Sequence, residues 1–449
     1  MSMVMVNKKG GDKVSRVREL ITGFSPLASN EFGKWVVRTL PAELNSSPAM
    51  GARLYLICME SHMGKRYFQA AALTSALMLV CASWSQMPTV DIDLTATDVI
   101  SQGNTGTCWS FSTTSFLESE AHRITGELHD FSEMASVRVI YPEKLARYVR
   151  YHGHHQFGPG GLSHDVLHAA AKYGIVPQGV YSGGNQGEDH DHSALDRQLK
   201  KLAKKRVKAS VGLGPEGFSE AEAVLDAHLG ALPESFEYRG QRWTPISFRD
   251  AMGIWPDAYL TLSSYTHHDF GAHFILEVPD NHAQGAFWNV PLDDLENTVH
   301  HALENGYTVA WDADVSNAGF SFSDGLAIMP EMADTKEDWT SLDGMPQEPT
   351  VGQSLRQAAF DAQENTDDHL MHIVGRATDA KGRRYFVIKN SWGQGNDFGG
   401  KQFVSMSYFR HHTIGLLVHQ CGVPASVRQE LQGGRRAPGL YPSALCPMD

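Results

Sequence analysis

The sequence predicts an α+β protein. Helical patterns crowd the stretch from residue 108 to 207, while buried-strand patterns crowd the stretch from 307 to 418. No internal repeat joins the two regions, so they read as different kinds of structure.

Each element has its own signal. An extended stretch, Val90 to Val99, leads to a helix opening at Cys108. Trp109, Phe111, Phe116, Leu117, Ala121 and Ile124 give that helix a rough apolar face, and Gly126 is its stop. Phe131-Ser132-Glu133-Met134 begins a second helical stretch carrying Tyr141, Leu145, Tyr148 and Val149. The glycine-rich loop from Phe157 to Leu162 lets backbone approach a ligand closely. Ser163 reads as the N-cap of a helix over His164–Tyr173, closed by Gly174. Asp196 to Val207 forms an amphipathic helix with a basic face, either a solvated cover for a core seam or a nucleic-acid contact. Residues 209–290 alternate short aromatic runs with Pro and Gly. Helix signals return at Pro291, with Asp293, Asp294 and Glu296 in the first turn. Tyr307 to Trp311 reads as a buried strand, and residues 331–365 as polar loop and helix. Asp367 to Gly375 is a strand entered from an acidic turn, Asp379 to Gly382 a hairpin turn, and Tyr385 to Lys389 a strand. Phe403–Met406 and Ile414–Val418 add strands, and the tail from Gly433 reads as disordered.

The 449 residues suffice for two or three domains, and 42% hydrophobic with 20% charged residues is ordinary globular composition. A net charge of -13 argues against nucleic-acid binding by general electrostatics. The 22 histidines include His152-Gly-His154-His155, His190-Asp-His192, His267-His268, His300-His301 and His411-His412. None has zinc-motif spacing with a second ligand set, so no metal site is expected. Five cysteines without a CxxC do not make a disulfide scaffold.

Residues 1–62 show no sustained period. Met63-Gly-Lys65-Arg66, an apolar run from Ala70 to Ala82, and small residues at Ser83 and Ser85 have the layout of a secretory signal peptide over 63–85. The run is short for a membrane span. On this reading translation starts at Met63 or Met59, residues 1–62 come from a misplaced start codon, and the product is periplasmic or secreted. The competing reading is a cytoplasmic protein with a genuine N-terminal domain and a core helix over 68–82.

Chemistry concentrates at a few positions. Gln102 stands six residues before Cys108, with glycines between. A thiol at a helix N-terminus feels the positive end of the dipole, which favours thiolate. A glutamine alongside can donate its amide to a developing oxyanion. Against this, Cys108 also suits a small buried core position. Cys108, His369 and Asn390 follow an order that nucleophilic chemistry uses. The imidazole takes the thiol proton and later gives it to a leaving amine. The asparagine amide holds the other ring nitrogen. His372, three residues on, faces the opposite side of a strand. Asp367 and Asp368 either tune the imidazole or shape the turn.

Four motifs combine: Gln102-x5-Cys108-Trp109, Gly160-Gly161, His369 six residues before Gly375, and Asn390-Ser391-Trp392-Gly393. On these, residues from about 91 to 432 resemble the papain-like cysteine peptidases, in the branch of bleomycin hydrolase and bacterial aminopeptidase C. The resemblance implies a two-lobe fold. A helical lobe carries Cys108 at the start of its central helix, a β-barrel-like lobe carries His369 and Asn390, and the cleft lies between. It implies Cys108 as nucleophile, His369 as general base and acid, Asn390 as orienter and Gln102 as oxyanion donor. Gly160, Gly161 and Trp392 are the expected substrate-binding residues, with Trp392 packed over the asparagine. The implied reaction is peptide hydrolysis through a thioester, on peptide or protein substrates, without metal, organic cofactor, nucleic acid or stable membrane span. Homo-oligomers, specifically hexamers, are expected.

The chain departs from the family pattern in three places. Thr105-Gly106-Thr107 stands where the common papain run has Cys-Gly-Ser, as in the bleomycin-hydrolase branch. The Cys–His separation exceeds the about 130–150 residues of papain-like chains. The surplus fits a helical insertion over about 190–300, within a peptidase domain over 86–432. In the aminopeptidase members the C-terminus lies in the cleft and restricts cleavage to free N-termini. Here a tail, 433–449, follows Gln432, so endopeptidase is the competing reading. A transglutaminase-like acyltransferase and an inactive peptide-binding module are further alternatives. The Asn-Ser-Trp-Gly run and the intact Gln–Cys–His–Asn set argue against them.

Overall fold

The computed structural model describes residues 87–184, 189–330 and 346–433. The chain divides into two units, residues 1–81 and 82–449, and all described residues belong to the second. The expected leader over 63–85, the extension 1–62 and the tail beyond 433 lie outside the described residues.

The order is β1 (Thr89–Asp93), α1 (Cys108–Thr125), α2 (Glu133–Arg150), α3 (Ser163–Lys172), α4 (Ser193–Lys208), α5 (Gly214–Leu229), β2 (Phe236–Tyr238), β3 (Gln241–Trp243) and α6 (Pro245–Ala251). There follow β4 (Tyr259–Ser263), β5 (His273–Ile275), β6 (Ala286–Asn289), α7 (Leu292–Glu304), β7 (Val309–Ala313), β8 (Phe320–Ser321), β9 (Leu326–Ala327) and α8 (Gln353–Asp361). The chain closes with β10 (His369–Thr378), β11 (Arg384–Lys389), β12 (Lys401–Ser405), α9 (Met406–His412), β13 (Thr413–His419) and α10 (Ala425–Gly433).

One large sheet organises the second half, in the order β5-β6-β4-β13-β7-β10-β11-β12-β9-β8, with β1 added alongside β10. Strand β7 shows how it packs. Val309, Trp311 and Ala313 enter a core with Met371, Ile373, Phe386 and Leu416, while Ala310 joins the core of the helical half. This is the period-2 alternation of a sheet covered on both faces. Each large apolar side chain so buried contributes about 1.5–3 kcal/mol.

Helix α1 lies against β10. Its apolar residues are buried as expected, except Ile124, which is exposed at the last turn. A serine stripe is buried as well, because it hydrogen-bonds to the sheet side. Ser112 Oγ donates to the Met371 carbonyl at 2.7 Å, Ser115 Oγ pairs with His372 Nδ1 at 2.9 Å, and Ser119 Oγ donates to the Thr95 carbonyl at 2.8 Å. Gly126 ends the helix in the left-handed conformation, φ 77°.

Smaller boundaries differ from the sequence reading. Ser163 is the first helical residue of α3 and Leu162 its N-cap, because the Asp165 carboxylate accepts the Leu162 N–H at 2.9 Å. Met406 begins α9 instead of ending a strand, because Ser405 Oγ caps that helix by accepting the Tyr408 N–H at 3.1 Å. Between 190 and 258 the chain is mainly helical. Arg206 on α4 reaches Glu216 and Glu220 of α5 at 3.2 and 2.8 Å, so this part of the basic face is spent on ion pairs. From Tyr259 the chain joins the large sheet, and the remainder of the stretch to 300 belongs with it. No described helix is long and apolar enough to cross a membrane.

Candidate active site

The cysteine loop is fixed before the helix begins. Gln102 N–H donates to the Ser391 carbonyl at 2.8 Å, and Ser101 bridges Trp392. A Cβ on Gly106 would lie 2.5 Å from Pro159, so glycine is required there for the two loops to touch. The result places Cys108 at the first turn of α1 with only 8% exposure; it is the free cysteine among the described residues.

Across from it, β10 begins at His369. Helix α1 packs on β10, and the Leu370 N–H, next to the imidazole, favours the thiolate form of Cys108. His369 Nε2–H donates to Asn390 Oδ1 at 2.8 Å, which leaves Nδ1 as the ring nitrogen for the thiol. Asn390 is itself held: its Nδ2 donates to Gln402 Oε1 at 2.7 Å, and its Oδ1 also accepts the Ser391 N–H at 2.7 Å. Gln102 is oriented by the same segment. Its Oε1 accepts from the Ser391 hydroxyl at 2.7 Å, and its Nε2 spends one hydrogen on the Thr105 carbonyl at 2.7 Å. One Gln102 N–H remains for an oxyanion.

The electrostatics depart from the dipole expectation. Burial pushes the Cys108 thiol up to about 12, and Asp312, Asp280 and Asp367 add to the rise, against the Leu370 N–H. Burial likewise draws His369 down to about 4. Burial therefore favours the neutral form of both groups.

The remaining expected residues fall as follows. Trp392 stacks on the His369 ring, centroids 4.5 Å apart, and Phe320 and Phe322 meet it edge-on. It keeps 39% exposure, so it also presents a face to the cleft side. The Gly160 carbonyl is already taken by Lys144 Nζ. Gly161 packs on Trp109, where a Cβ would sit 3.1 Å from the indole. Its own N–H and C=O have no hydrogen-bond partner among the described residues.

A family model described as the Peptidase C1-like family matches residues 237–437, a span that holds His369 and Asn390. Aminopeptidase G of Lactobacillus delbrueckii subsp. lactis is 24% identical over 383 residues, covering 73% of this chain and 82% of that protein. Aminopeptidase C of Streptococcus thermophilus is 23% identical over 380 residues, covering 73% and 82%. The crystal structure of PepW from Lactobacillus rhamnosis superposes with a TM-score of 0.60 at 18% identity, covering 82% of this chain and 92% of that one.

The chain is similar to papain-like peptidases of the aminopeptidase C branch over most of its length.

Two residues of the site, Ser391 and Gln402, have no role of their own in the sequence reading, and a third, Asp367, reads there only as tuning the imidazole or shaping the turn. Ser391 and Gln402 orient the two carboxamides, which only the fold reveals, because Gln402 comes from β12. The third is acidic. Asp367 is more than a turn residue: its Oδ2 accepts the Asp280 N–H at 3.2 Å, whereas Asp368 serves the turn by accepting the Val315 and Ser316 N–H groups. His372 is a core residue of the peptidase, fully buried beside Phe116. Of the histidine pairs, His267 and His268 both meet Glu277, at 3.2 and 2.7 Å, on the surface.

Proposed function

We propose that this protein hydrolyses peptide bonds with Cys108 as nucleophile and acts on free N-termini, as the names of its aminopeptidase relatives suggest. The observation that carries the proposal is Cys108 at the first turn of α1, which packs on β10, where the far nitrogen of the His369 imidazole is held by Asn390. His369 takes the thiol proton at Nδ1 as sulfur bonds to the scissile carbonyl carbon. Gln102 Nε2–H and the Cys108 N–H receive the carbonyl oxygen. The C–N bond breaks, and the imidazolium gives its proton to the leaving amine. Water then attacks the thioester, surrendering a proton to His369, and the proton returns to sulfur as the acid leaves.

The test compares free-amine and N-acetylated peptides with the full-length protein and Cys108→Ala. Cleavage of the free-amine form alone, absent in C108A, supports the reading. Equal cleavage of both forms would identify an endopeptidase. Cleavage that survives in C108A would exclude the thiol mechanism. Export through the 63–85 leader and assembly into a homo-oligomer belong to the same reading. N-terminal sequencing of the native protein and light scattering test them, and a peptide from residues 10–50 or a monomer would oppose them.

A further inference from the structure

Beside Gly160-Gly161 lies a group of carboxylates that the thiol chemistry does not use. Asp280 rests directly on the loop: a Cβ on Gly160 would overlap its Oδ2 at 1.7 Å. Its backbone N–H is bound by Asp367 Oδ2 at 3.2 Å, and its Oδ1 meets Gln156 Nε2 at 3.3 Å. Asp280 and Asp367 are half-buried, so each keeps an open side.

Asp312 gives the independent observation. It lies on β7, opposite Leu370 of β10. It is 4% exposed, and no side chain among the described residues hydrogen-bonds its carboxylate, the Ala313 N–H alone favouring its charge. Its strongest charged neighbours are Asp367 and Asp280, so it faces this pair. A buried acid without a partner is costly unless a cation arrives or it stays protonated.

The local charges do not balance. Lys144 is the cation that faces Asp280 and Asp367, and its Nζ already donates to the Gly160 carbonyl. Nearby Asp165 is satisfied by His282 at 3.0 Å and by the Leu162 N–H. Asp280 and Asp367 therefore share Lys144 with Asp165 and Asp196, the charges acting on Asp312 are all carboxylates, and Asp312, Asp280 and Asp367 are the charges that raise the Cys108 thiol.

We infer that Asp280, Asp367 and Asp312 form the subsite that receives the α-ammonium group of the substrate. This rests on the proposed peptidase reading and names what makes it an exopeptidase. The α-ammonium of an N-terminal residue is adjacent to the scissile carbonyl, and Asp280 rests on the Gly160-Gly161 loop, which packs on Trp109, the residue after Cys108. An ammonium there gains charge-assisted hydrogen bonds, while Asp280 over Gly160 fills the space into which a longer N-terminal chain would run. A lysine or arginine side chain at the preceding position carries the same cationic chemistry, and the test separates the two.

The experiment uses the full-length protein, an alanine-based fluorogenic amide with a free amine, its N-acetyl form, and an N-acetyl-arginyl-alanine amide. In Asp280→Asn, kcat/KM for the free-amine substrate should fall roughly 10- to 100-fold. Alkylation of Cys108 by iodoacetamide should persist, showing that the fold and thiol are intact. Alaninamide should protect Cys108 from alkylation in the wild type and not in D280N, and N-acetylalaninamide should protect neither. This binding readout needs no turnover, so the subsite stands or falls apart from the hydrolase reading. Asp312→Asn, with unchanged shape, repeats the test if D280N does not fold. Protection by alaninamide that persists in both variants overturns the inference. So does a wild-type preference for the N-acetyl-arginyl substrate that D280N abolishes, which would assign the cluster to a side chain.

Discussion

The Ser391 hydroxyl donates to Gln102 Oε1 at 2.7 Å. Two segments nearly three hundred residues apart are thereby joined at the oxyanion position, and the bond decides which end of the Gln102 carboxamide is nitrogen. Ser391→Ala removes that bond while leaving Cys108, His369 and Asn390 in place. We expect kcat to fall about tenfold with little change in KM, and Gln102→Ala to cost roughly 10²-fold or more in kcat. Steady-state kinetics on one free-amine substrate checks both. An unchanged kcat in both variants would remove Gln102 from the oxyanion site.

Trp392 covers the imidazole, and burial is the main cause of the His369 depression to about 4. Relief of burial raises a depressed histidine toward 6.5. In Trp392→Ala the His369 titration should therefore move upward, and the imidazolium should persist to higher pH. NMR titration in a Cys108→Ser background reads this directly. A midpoint that stays near 4 would mean that the indole is not what dries the ring.

Gly160→Ala tests the contact between the glycine loop and Asp280. The added methyl displaces a carboxylate at the end of a short side chain rather than backbone. The KM for free-amine substrates should rise about tenfold, the loss expected for one charge-assisted contact, with iodoacetamide reactivity of Cys108 preserved. A KM within twofold of the wild type would show that Asp280 is not in the substrate's path.

The pH profile follows from Asp367. Burial first, then the Asp280 and Asp368 carboxylates, push it up to about 7, against the Asp280 N–H and Lys144. An acid with a raised pKa is neutral below that value and charged above it. Ammonium binding should therefore strengthen as pH rises through about 7 and weaken once the substrate amine loses its proton, near 7.7–8.0. The expected kcat/KM profile for free-amine substrates is bell-shaped, and Asp367→Asn should flatten its acidic limb. A wild-type profile with no limb between pH 6 and 8 would contradict the assignment.

Much of this site is legible in the sequence because motif residues act through local chemistry. Gln102, Cys108, His369 and Asn390 stand at the ends of elements whose starts are readable from glycine, helix and strand patterns. The helix stop at Gly126 is legible for the same reason: it needs φ 77°. What escapes reading depends on neighbours brought from afar. The burial of Ser112, Ser115 and Ser119 follows from hydrogen bonds to the sheet and the segment preceding α1, which no periodicity in α1 encodes. Asp312 falls just past the strand read over Tyr307–Trp311; its pairing with Leu370, next to His369, is what brings it to the site. Trp392 meets Phe320 and Phe322 edge-on, residues distant in sequence and unremarkable in pattern.

The carboxylates around Cys108 also bear on how the protein survives between turnovers. A protonated sulfur reacts slowly with peroxide, whereas a thiolate advances readily to sulfenic and higher oxides. The burial and the carboxylates that raise the Cys108 thiol therefore slow its oxidation as well, and a substrate that brings the positive charge favouring the anion also covers the sulfur against solvent oxidants.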